Sequence, residues 1–201
     1  MRMGKWSIWT AAIGLLAMLA GSAVAGDGSR PFVWVRAGDA LTLDPHAVNE
    51  GTTHALNHHI YEPLIVRDHT GQLVPALAVA WRQATNPLVW TFDLRPGVTF
   101  HDGTPMTAQD IVFSIERARA PTSDLATRLK AVDKIEAVSP DRIRIATKVR
   151  DPLLPIQLTD ILIMNEAWSR ANGATVPLDF AAGEQGHADT NANGTGPYKL
   201  V

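Results

Sequence analysis

The stretch Trp90–Ala118, WTFDLRPGVTFHDGTPMTAQDIVFSIERA, constrains the fold of this chain more than any other. Trp90, Phe92 and Leu94 alternate with Thr91, Asp93 and Arg95, the period-2 pattern of a half-buried strand. Pro96-Gly97 breaks that strand, Val98–Phe100 reads as a short second run, and Asp102-Gly103 is a turn dipeptide. Thr107 then precedes a helical pattern, with Asp110 in the acidic slot of a capping box. Ile111, Val112, Ile115 and Ala118 share one helical face, whereas Gln109, Glu116, Arg117 and Arg119 point elsewhere. Strand, turn, strand, turn and capped helix follow without any catalytic requirement.

Before this block the chain opens with a basic start, Met1–Trp6, and an apolar run, Ile8–Ala20. Gly21-Ser22-Ala23-Val24-Ala25 ends in the A-x-A pattern of a cleavage site, which together make a secretory signal peptide cut after Ala25. The apolar run falls short of the ~20 residues of a spanning helix. Removing Arg2 and Lys5 from the 18 basic residues leaves 16 against 20 acidic ones, a net charge of −4. No basic run supports nucleic-acid binding. The chain has no cysteine, which excludes disulfides, thiolate metal sites and lipid attachment at an N-terminal cysteine. The expected product is exported and not itself membrane-spanning once the leader is removed.

Phe32–Arg36 reads as a first strand and Asn49–Ile60 as a helix ending before Pro63. Leu64–Arg67 and Gln72–Val74 flank Asp68-His69-Thr70-Gly71 as a hairpin, and Pro75–Val79 suggests a single helical turn. Ile135–Val138 and Ile143–Thr147 read as a second hairpin, with Ile143, Ile145 and Thr147 on one side. Pro152–Leu158 and Glu166–Ala171 read as short helices, and Ile161–Met164 as a strand. Residues 173–193 form a long loop of the kind that is functional or unstructured. Gly194-Thr195-Gly196-Pro197 is a turn feeding a strand, Tyr198–Val201.

Two constellations resemble chemistry. Glu50, His54 and His58 lie four residues apart on one helix face, the spacing at which imidazole and carboxylate ligands converge on a metal. This opens a reading as a metal-binding protein or metallohydrolase, although no further ligand is near in sequence. His101-Asp102 with Ser114 could be parts of a nucleophilic triad, but no strained serine turn accompanies them.

The block W-x-F-x-L-R-x-G-V-x-F-H-D-G-T-P-x-T-A-x-D-x-V-F-S resembles the signature of family 5 extracytoplasmic solute-binding proteins of ABC importers, the oligopeptide, dipeptide and nickel binders. Leu43-Asp44-Pro45-His46, Tyr61-Glu62-Pro63-Leu64, Leu73–Ala78 before Trp81, and Asn193–Tyr198 match in the same order. The resemblance implies a mixed α/β chain, the N-terminal part of a type II periplasmic-binding-protein-like fold. Residues 26–61 would start the first lobe, 62–187 would form an inserted mixed subdomain, and 188–201 would return to an incomplete first lobe. The opposing lobe would lie outside this sequence, leaving an unpaired edge at Tyr198–Val201 and an aggregation-prone product; a truncated, inactive product is the corresponding alternative. By position, Asn49, Glu50, Gly51 and Thr52 are implied contributors to the solute cleft, partly through main-chain contacts. The same four residues also suit a plain helix start, with Asn49 as cap and Glu50 favouring the first-turn dipole. A peptide or small solute, an inner-membrane ABC permease, a periplasmic location, no catalysis and no cofactor complete what the resemblance implies.

Overall fold

The computed structural model describes residues 38–201; the signal peptide expected at the N-terminus and the strand expected at Phe32–Arg36 lie outside them. Helix α1, Gly51–Ile60, comes first. Strands β1, Ile65–Arg67, and β2, Leu73–Pro75, then pair antiparallel. Their turn is organised by Asp68, whose Oδ1 accepts from the amides of Thr70 at 2.8 Å and Gln72 at 3.0 Å. Gly71 takes φ 82° to let the chain reverse.

Strands β3, Ala78–Gln83, and β4, Val89–Leu94, join β5, Val132–Ser139, and β6, Arg142–Thr147. They make a four-stranded antiparallel sheet in the order β3-β4-β6-β5. The alternation expected for residues 142–147 holds, with Ile143, Ile145 and Thr147 buried. Helix α2, Ala108–Ala118, covers that face and puts Ile111, Ile115 and Ala118 into one core with Phe92, Ile135, Ile143 and Ile145. Burying each such Ile or Phe contributes about 1.5–3 kcal/mol. The helix starts where its capping box sets it: the Thr107 amide donates to Asp110 Oδ2 at 2.8 Å, and the Asp110 amide returns to Thr107 Oγ1 at 3.4 Å. On the open face of the sheet, Arg82 and Arg142 share the carboxylate of Asp93.

Helix α3, Leu154–Gln157, runs into a 3-10 turn at Leu158–Asp160, and helices α4, Glu166–Ala171, and α5, His187–Thr190, follow. A second core cluster gathers Ile60, Tyr61, Leu162 and Met164, and it seats the end of α1.

Several expectations are corrected. Pro75–Val79 is no helical turn: the chain bends at Ala76-Leu77 and enters β3, because the amides of Ala76 and Ala78 both donate to Leu64 O. Val98–Phe100 contributes only an isolated bridge, Thr99 with Pro105. Ile161–Met164 is extended and buried but bridges only once, Leu162 with Pro63. Tyr198–Val201 forms no strand; the Tyr198 amide donates to His59 O at 3.0 Å. The 173–193 loop is tied down through α5, since Thr42 Oγ1 donates to Asp189 Oδ1 at 2.7 Å and the Leu43 amide to Asp189 O at 2.9 Å.

Candidate functional site

The segment leading into α1 is fixed from beneath by a buried charge network. Asp44 accepts a two-pronged pair of bonds from Arg117, Nη1 to Oδ1 at 2.7 Å and Nη2 to Oδ2 at 2.6 Å, with both side chains fully buried. Arg117 Nε donates to Ala174 O at 2.8 Å and Nη2 to Val176 O at 3.2 Å. His46 Nε2 lies 2.9 Å from Leu162 O. A carbonyl only accepts, so Nε2 carries the proton, and the Nδ1 lone pair faces Arg117 Nη1 at 3.1 Å.

Burial pushes the Asp44 carboxyl up, but the Arg117 hydrogen bonds and charge outweigh it and hold the group below its ordinary range. Burial, then the Arg117 charge, push the His46 imidazole down to about 3, so it is neutral at physiological pH. The guanidinium therefore has one full counter-charge and three neutral acceptors. Arg117, read as pointing away from the apolar face of α2, is buried because its guanidinium pairs with Asp44.

The four implied cleft residues follow this network in the chain. Asn49 and Gly51 are exposed, and Glu50 and Thr52 are half-buried. The cap of α1 is Glu50, not Asn49, and the helix begins at Gly51. Glu50 Oε1 accepts from the Thr52 amide and Oε2 from the Thr53 amide, each at 2.8 Å. A glutamate reaches both orphan amides where asparagine, one residue earlier, does not. Those two bonds lower the Glu50 carboxyl to about 2. The Asn49 amide instead donates to Asp124 Oδ2 at 3.2 Å, and its Oδ1 lies 3.5 Å from Arg128 Nη2. A Cβ built on Gly51 would meet nothing within 4 Å, so the surface there is open. Thr53 Oγ1, which donates to Glu50, accepts from the Leu41 amide at 3.0 Å. Leu41 borders a cleft of about 490 Å³ that Phe180, Glu184, Gln185 and Asp189 also line.

The far end of α1 is clamped by two glycines. A Cβ on Gly194 would stand 2.0 Å from Ile60 O, and one on Gly196 would stand 2.6 Å from His59 O. The Gly196 amide donates to Ile60 O at 2.9 Å. His101 bridges onto the same turn, its amide donating to Gly194 O at 2.9 Å and its Nε2 to Gly196 O at 2.8 Å. Asp102 and Asn193 exchange two further bonds. His101-Asp102 is thus a lock between two turns. Ser114, fully buried, donates to Asp110 O at 2.7 Å and accepts from the Met164 amide at 2.9 Å. The three residues do not assemble a nucleophile and base.

The His54 and His58 rings lie 6.1 Å apart between centroids, tilted by 36°, and burial lowers both pKa values. Glu50 is committed to its cap, and among the described residues no three His, Cys, Asp or Glu gather as a metal site. Sequence reasoning missed Arg117, His46 and the two glycine clamps. An acid in Leu43-Asp44-Pro45-His46 with no local partner was the one signal for the first two.

The family model described as bacterial extracellular solute-binding proteins, family 5 Middle, matches residues 72–201. The chain belongs to this family. Its fold, accordingly, is the mixed α/β type II-like fold of periplasmic binding proteins. The NikZ protein of Campylobacter jejuni, solved with Ni(L-His), superposes with a TM-score of 0.69 at 25% identity over 82% of this chain and 31% of that one. The periplasmic oligopeptide-binding protein OppA of Escherichia coli is 35% identical over 85 residues, 42% of this chain and 16% of OppA. The glutathione-binding protein GsiB of Pectobacterium atrosepticum is 27% identical over 198 residues, 96% of this chain and 36% of GsiB. The chain thus spans no more than about a third of the length of these curated relatives. In this family 5 protein, the motif residues described above serve packing: Asp44, His46, Asp102, Asn193, Gly194 and Gly196 all work inside the fold.

Proposed function

We propose that this chain supplies one wall of the solute-binding component of a peptide-type ABC importer. Exported to the periplasm with its leader removed after Ala25, it holds a peptide or similar small solute without turning it over and delivers it to an inner-membrane ABC permease. In this reading residues 26–61 begin the first lobe, 62–187 form its inserted subdomain and 188–201 return to it, while a second lobe supplies the opposing wall.

The observation that carries the reading is the geometry at Asn49–Thr52. The segment is exposed at Asn49 and open at Gly51, and bonds at both ends of α1 hold it in place. With no side chain at Gly51, a solute can approach the main chain closely there, and rigidity lowers the ordering cost of binding. The relatives support a carrier role through their names, which speak of oligopeptide and glutathione binding, and through the NikZ complex with a nickel–histidine chelate.

The test is calorimetric titration of a tripeptide panel into this chain alone and into the chain joined to the remaining length of a family 5 protein. Peptide should bind only the joined form and come off unhydrolysed, and Gly51→Val should weaken it at least tenfold with an unchanged Tm. Tight binding by this chain alone as a monomer would refute the one-wall reading. Hydrolysis of the peptide would refute the carrier role. Secretion of an alkaline phosphatase fused behind Ala25 tests export separately.

A further inference from the structure

Between the second half of α1, strand β1 and the Leu158–Asp160 turn lies a cleft of about 280 Å³, lined by His58, Val66, Arg67, Thr159 and Asp160. None of its residues belongs to the Asn49–Thr52 strip. Two opposite charges line it without meeting. Asp160 Oδ2 is held by Arg128 Nη1 at 2.8 Å, which leaves Oδ1 without a described partner. Arg67 has no acidic partner among the described residues; its Nη2 makes one long contact, 3.4 Å, to Thr159 Oγ1. Thr159 spends its own proton on Ile156 O at 2.8 Å, so its oxygen lone pairs are what face Arg67.

Opposite charges that meet at a surface pair for a gain of about 0–1 kcal/mol. Here each is steered by a different neighbour, and the gap between them is left open. A molecule carrying both charges at short separation completes both at once. The volume sits just under the roughly 300 Å³ at which drug-sized pockets begin, a scale suited to one small metabolite. Val66 provides an apolar wall. His58 has no hydrogen-bond partner among the described residues, and burial, then the neighbouring His54, lower its pKa. It therefore offers a neutral imidazole to the ligand rather than a competing cation.

We propose that this cleft is a second, small-molecule site that takes a zwitterion of the α-amino acid class, its carboxylate on Arg67, its ammonium on Asp160 and a short side chain against Val66. The planar guanidinium suits a carboxylate bound through two oxygens.

The experiment titrates L-alanine into the chain, followed by the NMR signals of the His58 ring and by calorimetry. Propionate and ethylamine serve as probes carrying one of its two charges each. L-Alanine should bind saturably, and each single-charge probe at least tenfold more weakly. Arg67→Gln, at an exposed position, should abolish binding with Tm unchanged, whereas Asn49→Ala should leave it intact. Asp160→Asn also breaks the bridge to Arg128, so Arg128→Gln is its control: loss in the first and retention in the second assigns the ammonium contact to Asp160. No saturable L-alanine binding, propionate binding as tightly as L-alanine, or binding that survives Arg67→Gln would each overturn the proposal. Binding lost in Asn49→Ala but kept in Arg67→Gln would move the ligand to the solute wall, overturning this site while leaving the carrier reading standing.

Discussion

Asp44 with Arg117 and Asp93 with Arg82 and Arg142 use the same side chains under opposite conditions. The first pair is sealed, with both side chains at 0% exposure. The second lies on the open face of the sheet, with Arg82 56%, Arg142 45% and Asp93 24% exposed. On the open face water already solvates each charge, so the cluster contributes little beyond solubility and cross-strand register. In the interior the pair gives up that solvation, and its attraction roughly offsets the loss. What the buried pair gains is location. Arg117 ties the Asp44 segment, helix α2 and the carbonyls of Ala174 and Val176 into one position, and that position sets where α1 begins.

This contrast can be broken by experiment. Arg117→Ala strands a buried carboxylate and should cost about 3–5 kcal/mol in urea unfolding. A loss no larger than that of a surface arginine would erase the distinction. The pH dependence should come next. His46 has a folded pKa near 3, against an ordinary 6.5. The unfolded chain therefore takes up the proton first as pH falls. Stability is complete above about pH 6.5 and declines towards pH 3, at up to about 1.4 kcal/mol per pH unit. His46→Gln, which keeps a donor for Leu162 O, should flatten that slope in thermal melts; identical slopes in both proteins would clear His46. Gly194→Ala forces a Cβ onto Ile60 O and should cost about 1–3 kcal/mol or more. Gly51→Ala, facing open space, should be nearly silent in the same assay. Thr107→Ala removes the helix cap and should cost about 1 kcal/mol. Arg82→Ala should fall below about 1 kcal/mol, and less still at high salt.

Local signals were legible. The capping box at Thr107 and Asp110, the Asp68–Gly71 turn, the 143–147 alternation and the 166–171 helix all depend on residues within a few positions of one another. Misreadings arose where partners are remote. Ile161–Met164 looks like a strand because every residue is apolar, yet its polar groups go to Glu62 O, Ser114 Oγ and His46 rather than to a ladder. An apolar run reports burial, not pairing. Pro75–Val79 carries helix-favouring alanines, but tertiary bonds to Leu64 O override that weak preference. At the candidate site, spacing located the helix but put the cap one residue early. Nothing local could reveal that Arg117, facing inward, is the partner of Asp44.

The glycine clamp on α1 carries a kinetic consequence. Helix α1 is the first described element to leave the ribosome, and the turn that grips its end follows only at Gly194–Gly196. Until Gly194 and Gly196 arrive, the carbonyls of His59 and Ile60 have no lid, and closing so distant a contact is slow. The end of α1 therefore gains its rigidity only after the intervening residues have been made.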